Sequence, residues 1–298
     1  MIGGRIGLAV LVACLACAGR SWALQTDAQP VPEGAGPRTE RQSVSFGRRG
    51  VVSAHPDASL AGLRILQQGG NAVDAAIAMQ WVLSVVEPQS SGLGGGGFAV
   101  VWAQGKAWAF DGRETAPAAT TPEVFMSHGA PMSFELARAD VRSVGVPGQV
   151  PLLLALHRQL GRLRWSSLMQ PAIQAAEQGF VVGPRLHALL QNDPLLRADP
   201  EARKLYYQAD GNAVQSGTRL RNPELAWMLK RIAKLGSSAL NDGPVAQALL
   251  RRINAGQPGG SVMTDRDLKS YAVRVNPALC FDWSGWQGAR VCGMPPPS

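Results

Sequence analysis

The segment 111–115, Asp-Gly-Arg-Glu-Thr, contains an arginine suited to binding a substrate. It follows an alternating apolar segment, 107–110, which predicts a β-strand, so its side chains would lie where a rigid strand ends at a cleft. A guanidinium offers two parallel N–H donors that match the two oxygens of a carboxylate. Arg113 is therefore a candidate carboxylate-binding residue. The alternative is a surface or structural ion pair, which is the commoner use of an isolated arginine at a strand end. The other candidate residues of this site are Asp111, Gly112 and Glu114.

A second conspicuous feature is the glycine-rich run 92–97, Gly-Leu-Gly-Gly-Gly-Gly, which satisfies the G-x-G-x-x-G pattern of dinucleotide sites. Such a site needs a strand before the loop and a helix after it, so that the helix N-terminus faces the pyrophosphate. The pattern here predicts a helix before and a strand after. The order therefore argues against a nucleotide cofactor, and the glycines are interpreted as letting the backbone pass close to its neighbours.

The cysteines favour a disulfide over a metal site. Cys14 and Cys17 lie near the N-terminus, whereas Cys280 and Cys292 lie in two short predicted strands around the turn Ser284-Gly285. In an oxidising compartment the second pair would form a cross-strand disulfide, and the alternative is two free buried thiols. No C-x-x-C or His-x-x-x-His spacing accompanies Cys280 and Cys292, so we expect neither a metal site nor a metal cofactor.

The N-terminus resembles a secretory signal peptide. Arg5 precedes the apolar run 6–18, and Ser21-Trp22-Ala23 places small residues where a signal peptidase cleaves. The run is too short to span a bilayer. We therefore predict a cleaved signal at residues 1–23, a periplasmic or secreted protein, and no membrane span. A lipoprotein is the alternative, because residues 11–14 resemble a lipobox.

Composition indicates an ordinary globular protein. Of the 298 residues, 46% are hydrophobic and 17% are charged, enough to bury one large core. Loss of residues 1–23 lowers the formal net charge from +8 to +6 by removing two arginines. The remaining arginines are dispersed, which argues against a nucleic-acid partner. Residues 24–49 have the composition of a flexible leader, and we place the folded domain at residues 50–298.

The elements that must position the candidate site follow from periodicity and capping residues. A short strand is predicted at 51–54, and a helix begins at His55-Pro56. Asn71 and Asp74 form a predicted capping box for the helix Ala72–Val86, which is apolar almost all round and should be buried. A β-hairpin follows the glycine-rich run, with strands at 98–102 and 107–110. The later helices are predicted at 148–158, 166–178, 184–190, 223–235 and 243–254, followed by a strand pair within 272–294.

Three runs in order, residues 55–76, 86–98 and 111–117, closely resemble the γ-glutamyltransferases, also called γ-glutamyltranspeptidases or glutathione hydrolases. Gly145-Val146-Pro147-Gly148 and the C-terminal Met294–Ser298 resemble the same family. The similarity covers nearly everything from residue 50 onward. It implies that this chain is the N-terminal, large-subunit part of an exported precursor.

The resemblance implies an N-terminal-nucleophile hydrolase fold, a four-layer αββα sandwich of which this chain holds the mostly helical large-subunit part. In this family a precursor cleaves itself, and a threonine at the new N-terminus attacks the γ-glutamyl amide with its own α-amino group as base. The γ-glutamyl group then passes to water or to an acceptor amine. The family arginine matched by Arg113 binds the α-carboxylate of a donor such as glutathione, and no cofactor takes part.

The resemblance also implies a partner, the small subunit cut from the same precursor. Thr120-Thr121 precede Pro122 and do not match the Thr-Thr-His-type processing site, so no catalytic residue is assigned here and the nucleophile is expected beyond Ser298. With much of the sandwich absent, the helix Ala72–Val86 should lack partners, and residues 24–298 alone should be poorly soluble and inactive. The alternatives are a glutaryl-cephalosporin acylase of the same fold and a truncated inactive binding remnant.

Overall fold

The computed structural model describes residue 45 and residues 47–255, 262–286 and 288–296. All of them belong to one compact unit, Pro37–Ser298. The predicted signal peptide, most of the predicted leader and Ser298 lie outside the described residues. Within the described part, twelve α-helices and nine short strands occur.

Helices form most of the described structure. In chain order they are α1 Pro56–Gln67, α2 Ala72–Val86, α3 Phe134–Ala139, α4 Gln149–Leu160, α5 Trp165–Gln178, α6 Pro184–Asn192, α7 Pro194–Ala198, α8 Pro200–Tyr206, α9 Pro223–Leu235, α10 Ser238–Asn241, α11 Gly243–Asn254 and α12 Asp265–Ser270, with a 3₁₀ turn at Val141–Ser143. The long predicted helices are therefore confirmed, with ends that shift by at most two residues. The short helices α3, α7, α8, α10 and α12 were not predicted, because four to seven residues give too little periodicity to detect.

One three-stranded antiparallel sheet supports the candidate site. Its order is β1 Gly97–Ala103, β2 Lys106–Gly112, β7 Arg274–Pro277. The hairpin turn at Gln104-Gly105 uses two positive-φ residues. The remaining strands form two-stranded pairs: β3 Met126–Ser127 with β4 Ala130–Pro131, β5 Phe180–Val181 with β6 Arg219–Leu220, and β8 Leu279–Asp282 with β9 Arg290–Gly293.

The predicted strand at 51–54 is wrong. These residues form no strand, because no second strand within the described residues lies alongside to share backbone hydrogen bonds. Instead, the Ser53 hydroxyl hydrogen-bonds to the His55 carbonyl oxygen and shares a 2.8 Å contact with the Ser59 hydroxyl. The segment is thus tied to the first turn of α1.

Helix α2 lies at the centre of the core. Asn71 accepts a hydrogen bond from the Asp74 N–H, and Asp74 accepts one from the Asn71 N–H, so the predicted capping box is confirmed. Asp74 is fully buried and also accepts from the backbone N–H groups of Arg162 and Leu163. The carboxylate therefore joins the start of α2 to the turn between α4 and α5.

The expectation that α2 would lack partners is wrong, because α1, α4 and α5 enclose it. Ten of its fifteen residues are buried, among them Trp81, which stacks edge-on against Trp165. One face of the sheet does expose a row of apolar side chains. Phe98, Val100 and Trp102 alternate along β1 with 40%, 42% and 68% of their surface exposed. We call these three residues the outer apolar face.

The C-terminal hairpin of β8 and β9 carries the two cysteines. Cys280 and Cys292 are directly opposed in the strand register, with their Cα atoms 4.1 Å apart, and their sulfurs are bonded. Close opposition of two Cβ atoms is the geometry that a cross-strand disulfide needs. The structure thus contains the disulfide rather than two separate thiols.

Candidate functional site

A pocket of about 490 Å³ opens beside the end of β2. Two segments supply most of its wall, the residues that follow β2 and the residues that precede α4. The antiparallel bridge between Thr115 and Val146 holds the segments together, with the Val146 N–H donating to the Thr115 carbonyl at 2.8 Å. The lining residues are Gly94, Arg113, Glu114, Thr115, Ala116, Pro117, Thr120, Val124, Phe125, Arg142, Ser143, Val144 and Gly145.

The backbone of Arg113 is held on both sides of its Cα. Its N–H donates to the Asp111 carboxylate at 3.0 Å, and its carbonyl oxygen accepts from the Tyr271 hydroxyl at 2.7 Å. Asp111 is a β2 residue, whereas Tyr271 directly follows α12, so elements distant in sequence fix the arginine. Burial raises the pKa of Tyr271 to about 12, and the nearby charges of Asp111 and Glu114 add to that rise. The phenol therefore remains a donor at physiological pH.

Glycines bring the surrounding backbone against Arg113. A Cβ on Gly96 would lie 2.5 Å from the Gly112 carbonyl oxygen and 2.9 Å from the Arg113 Cα. A Cβ on Gly148 would lie 2.0 Å from the same Gly112 oxygen, and one on Gly145 would lie 2.8 Å from the Glu114 Cβ. Real Cβ atoms do not approach other atoms this closely. Within the glycine-rich run, Gly96 therefore has the predicted role of a close backbone approach, whereas a Cβ on Gly92 or Gly94 would meet nothing within 4 Å.

Gly112 has a separate packing role. A Cβ at this position would lie 2.4 Å from the Leu152 Cβ on α4. The end of β2 can therefore lie directly on the N-terminal half of α4. The Gly95 carbonyl oxygen accepts from the N–H groups of Gly148 and Gln149, which ties the glycine-rich run to the start of the same helix.

The side chain of Arg113 lies over the outer apolar face. Its guanidinium carbon is 5.9 Å from the centre of the Phe98 ring, and Phe98 is the strand partner of Asp111. An aromatic face attracts a cation and limits its motion without using its N–H donors. Arg113 itself is exposed, as expected for a residue that meets a ligand.

A second arginine lines the pocket, and the sequence did not single it out. Arg142 donates from Nε to one Asp140 carboxylate oxygen and from Nη2 to the other, both at 2.8 Å. The guanidinium holds the pKa of Asp140 below its usual range, chiefly through the side-chain hydrogen bond. No local motif marks Arg142, because contacts distant in sequence, among them the Thr115–Val146 bridge, bring its segment beside the segment of Arg113.

The structure places all four sequence-predicted site residues together at the end of β2. Arg113 and Glu114 line the pocket, Asp111 orients the Arg113 backbone, and Gly112 permits the packing on α4. In the part of the chain that the structure describes, there is no cluster of three His, Cys, Asp or Glu residues that could hold a metal ion. No helix there is long and apolar enough to cross a membrane.

Comparison with known proteins agrees with this architecture. The family model described as Gamma-glutamyltranspeptidase matches residues 58–298. Glutathione hydrolase 3 of Arabidopsis thaliana is 39% identical over 254 residues, which covers 84% of this chain and 38% of the relative. The Acylase ACY 1 proenzyme of Pseudomonas sp. strain SE83 is 33% identical over 277 residues, covering 90% and 48%. The chain thus spans less than half the length of these curated relatives.

Among solved structures, the γ-glutamyltranspeptidase of Helicobacter pylori superposes with a TM-score of 0.79 and 30% sequence identity, covering 86% of this chain and 72% of that one. Together with the helical layer and the sheet described above, this match defines the N-terminal-nucleophile hydrolase fold. The mixed helix-and-sheet structure described here represents part of that fold. The chain belongs to the γ-glutamyltranspeptidase family. The predicted family and fold class are therefore confirmed.

Proposed function

We propose that this chain is the large-subunit part of an exported γ-glutamyltransferase, or glutathione hydrolase, and that Arg113 binds the α-carboxylate of the γ-glutamyl donor. The observation that carries the proposal is the fixed geometry of Arg113, held by Asp111 and Tyr271 and lying over the Phe98 ring at the wall of the pocket. Family membership and the glutathione hydrolase relatives support the choice of substrate.

In the proposed reaction, Arg113 contributes positioning rather than bond breaking. A carboxylate paired with both donors of the guanidinium leaves the γ-glutamyl amide at a fixed distance and angle from the pocket wall. Holding the scissile amide in one orientation lowers the entropic cost of nucleophilic attack. The acyl group would pass first to a threonine hydroxyl and then to water or an acceptor amine.

We place the nucleophile on the small subunit of the same precursor, which we also propose as the cover for the outer apolar face. Phe98, Val100 and Trp102 form a stripe of the kind that sheet-on-sheet packing buries. Arg113 lies at the end of that stripe, so a second sheet packed on it would bring its own residues next to the guanidinium. The proposal includes the predicted signal at residues 1–23 and a periplasmic or secreted location, with the lipoprotein as the alternative.

The test is the steady-state kinetics of Arg113→Ala in the native gene product, with γ-glutamyl-p-nitroanilide as substrate. Loss of a charge-assisted hydrogen bond that positions the donor should raise KM by at least roughly ten-fold, with a smaller change in kcat. Arg113→Lys should recover part of the affinity, because it keeps the charge but not the paired donors. The control is Arg158→Ala on α4, an exposed arginine outside the pocket lining. An unchanged KM in Arg113→Ala would exclude the assigned role.

The Pseudomonas acylase match favours a second candidate, a glutaryl-type acylase. A glutaryl amide keeps the carboxylate but lacks the α-amino group, so a site of this kind would not discriminate by that group. Comparing kcat/KM for matched γ-glutamyl and glutaryl p-nitroanilides decides between the candidates. A clear preference for the γ-glutamyl compound supports the hydrolase, and equal rates support the acylase. The absence of both activities in the native gene product would support the inactive remnant.

A further inference from the structure

Arg142 is the second cationic residue of the pocket, and its geometry leaves part of its guanidinium available. The Nε and Nη2 edge is occupied by the two oxygens of Asp140, and Nη2 also contacts the Met132 sulfur at 3.2 Å. Nη1 makes no hydrogen bond to any residue in the described part of the chain. A guanidinium has five N–H donors, so one carboxylate on one edge leaves donors for another acceptor.

Asp140 also orients this arginine. The side chains of Arg142 and Asp140 are only 28% and 21% exposed, so the pair is partly shielded from water. The Arg142 backbone N–H donates to the same Asp140 oxygen as Nε, which fixes both ends of the side chain. A side chain held in this way loses less entropy when it binds a ligand.

More cationic than anionic side chains line the pocket, although the Asp140 carboxylate offsets part of the Arg142 charge. The lining includes two arginines, Arg113 and Arg142, against one carboxylate, Glu114. Asp140 is not among the lining residues. The two arginines lie on different segments that the Thr115–Val146 bridge holds side by side. A ligand with two separated carboxylates therefore matches the wall better than a ligand with one.

We propose that Arg142 binds a second carboxylate of the substrate, the one on the amine portion that leaves when the γ-glutamyl amide is cleaved. This inference rests on the proposed function, in which Arg113 takes the α-carboxylate of the γ-glutamyl portion. Glutathione has this chemistry, with one carboxylate at each end. Arg142 then acts as a specificity residue that selects γ-glutamyl peptides over γ-glutamyl amides with a neutral leaving portion.

The experiment uses the native gene product and two chromogenic substrates that differ by one carboxylate, γ-glutamyl-p-nitroanilide and γ-glutamyl-3-carboxy-4-nitroanilide. In Arg142→Gln, KM for the carboxylated substrate should rise roughly ten-fold, since one charge-assisted hydrogen bond is lost. KM for the plain anilide and both kcat values should stay within about two-fold of the unmodified enzyme. Arg142→Lys should restore part of the affinity for the carboxylated substrate, because it keeps the charge but not the paired donors that Asp140 orients.

The matched control is Arg138→Gln, which removes the same charge on helix α3 outside the pocket lining and should leave both KM values unchanged. An equal change for both substrates in Arg142→Gln would show a merely structural role and would overturn the inference. No change for either substrate would overturn it as well. If the unmodified native gene product cleaves neither substrate, the proposed function falls, and the inference falls with it.

Discussion

The Tyr271 hydroxyl donates a 2.7 Å hydrogen bond to the carbonyl oxygen of Arg113, across 158 positions of sequence. The contact joins the end of α12 to the residue that follows β2. The phenol contacts the backbone of Arg113 rather than its guanidinium through this hydrogen bond. The backbone of the proposed carboxylate-binding residue is thus oriented by a part of the chain that does not line the pocket.

Tyr271→Phe removes this hydrogen bond while keeping the ring. We expect a loss of about 1 kcal/mol in the free energy of unfolding and a KM for γ-glutamyl-p-nitroanilide raised a few-fold, because the Arg113 backbone gains freedom. Tyr206→Phe is the control, since the Tyr206 hydroxyl makes no hydrogen bond within the described residues. Thermal unfolding and steady-state kinetics provide the two measurements. Identical behaviour of the two variants would contradict the assigned role of Tyr271.

The same hydrogen bond should persist to high pH. The folded-state pKa of Tyr271 is raised to about 12, above the usual value of about 10 for a free phenol. Because the folded-state pKa is raised, the Tyr271 hydroxyl is protonated at any pH below the pKa of a free phenol. It loses its proton only as the pH rises through the folded-state pKa of about 12. The KM of the unmodified enzyme should therefore not change through Tyr271 between pH 8 and about pH 10. A KM change in this range that is absent from Tyr271→Phe would count against it.

Gly96→Ala tests the close backbone approach. The new Cβ would lie 2.5 Å from the Gly112 carbonyl oxygen, so backbone must move, and we expect a loss of roughly 1–3 kcal/mol in unfolding free energy. Gly92→Ala is the matched control in the same loop, because a Cβ there meets nothing within 4 Å. Chemical denaturation measures both. Equal stability of the two variants would show that the approach is not tight.

The outer apolar face predicts the behaviour of residues 24–298 produced without a partner. We expect self-association and binding of a hydrophobic dye, because three large apolar side chains on one strand are exposed together. Trp102→Lys should reduce both effects. Trp227→Lys changes an equally large tryptophan, 56% exposed on α9, and should not. Light scattering and dye fluorescence distinguish them, and a monodisperse unmodified chain would refute the prediction.

The disulfide is testable by peptide mapping. Trypsin cleaves after Arg274 and Arg290, so Cys280 and Cys292 fall in adjacent peptides that should stay linked until a reductant is added. Replacing both cysteines by serine should lower the free energy of unfolding by about 2–3 kcal/mol at most, since the closed loop is short. Quantitative alkylation of both thiols without reduction would show that the bond is absent from the protein.

Much of the fold could be predicted from the sequence because its signals are local. The capping box of Asn71 and Asp74 and the apolar character of residues 72–86 predict α2 and its burial. The second role of Asp74, which accepts from the Arg162 N–H, depends on a turn 88 residues away. No short-range pattern contains that information.

The candidate site also contains one residue that a local pattern identifies and one that only the folded chain brings into place. Arg113 could be singled out because it ends an alternating segment and belongs to a recognisable family motif. Arg142 could not, because its place beside Arg113 depends on the Thr115–Val146 bridge. The expectation about α2 was wrong for a related reason. The helices α1, α4 and α5 that cover α2 all belong to this chain, whereas Phe98, Val100 and Trp102 on one face of the sheet are exposed.

The glycine contacts also decide where the pocket could be redesigned. Gly96, Gly145 and Gly148 have no room for a methyl group, so any library that diversifies these positions would consist mostly of poorly folded variants. Thr120, Val124 and Phe125 line the same pocket from a loop outside these glycine contacts. Variation in substrate preference, whether natural or engineered, is therefore expected at the loop positions, while the glycine backbone stays constant.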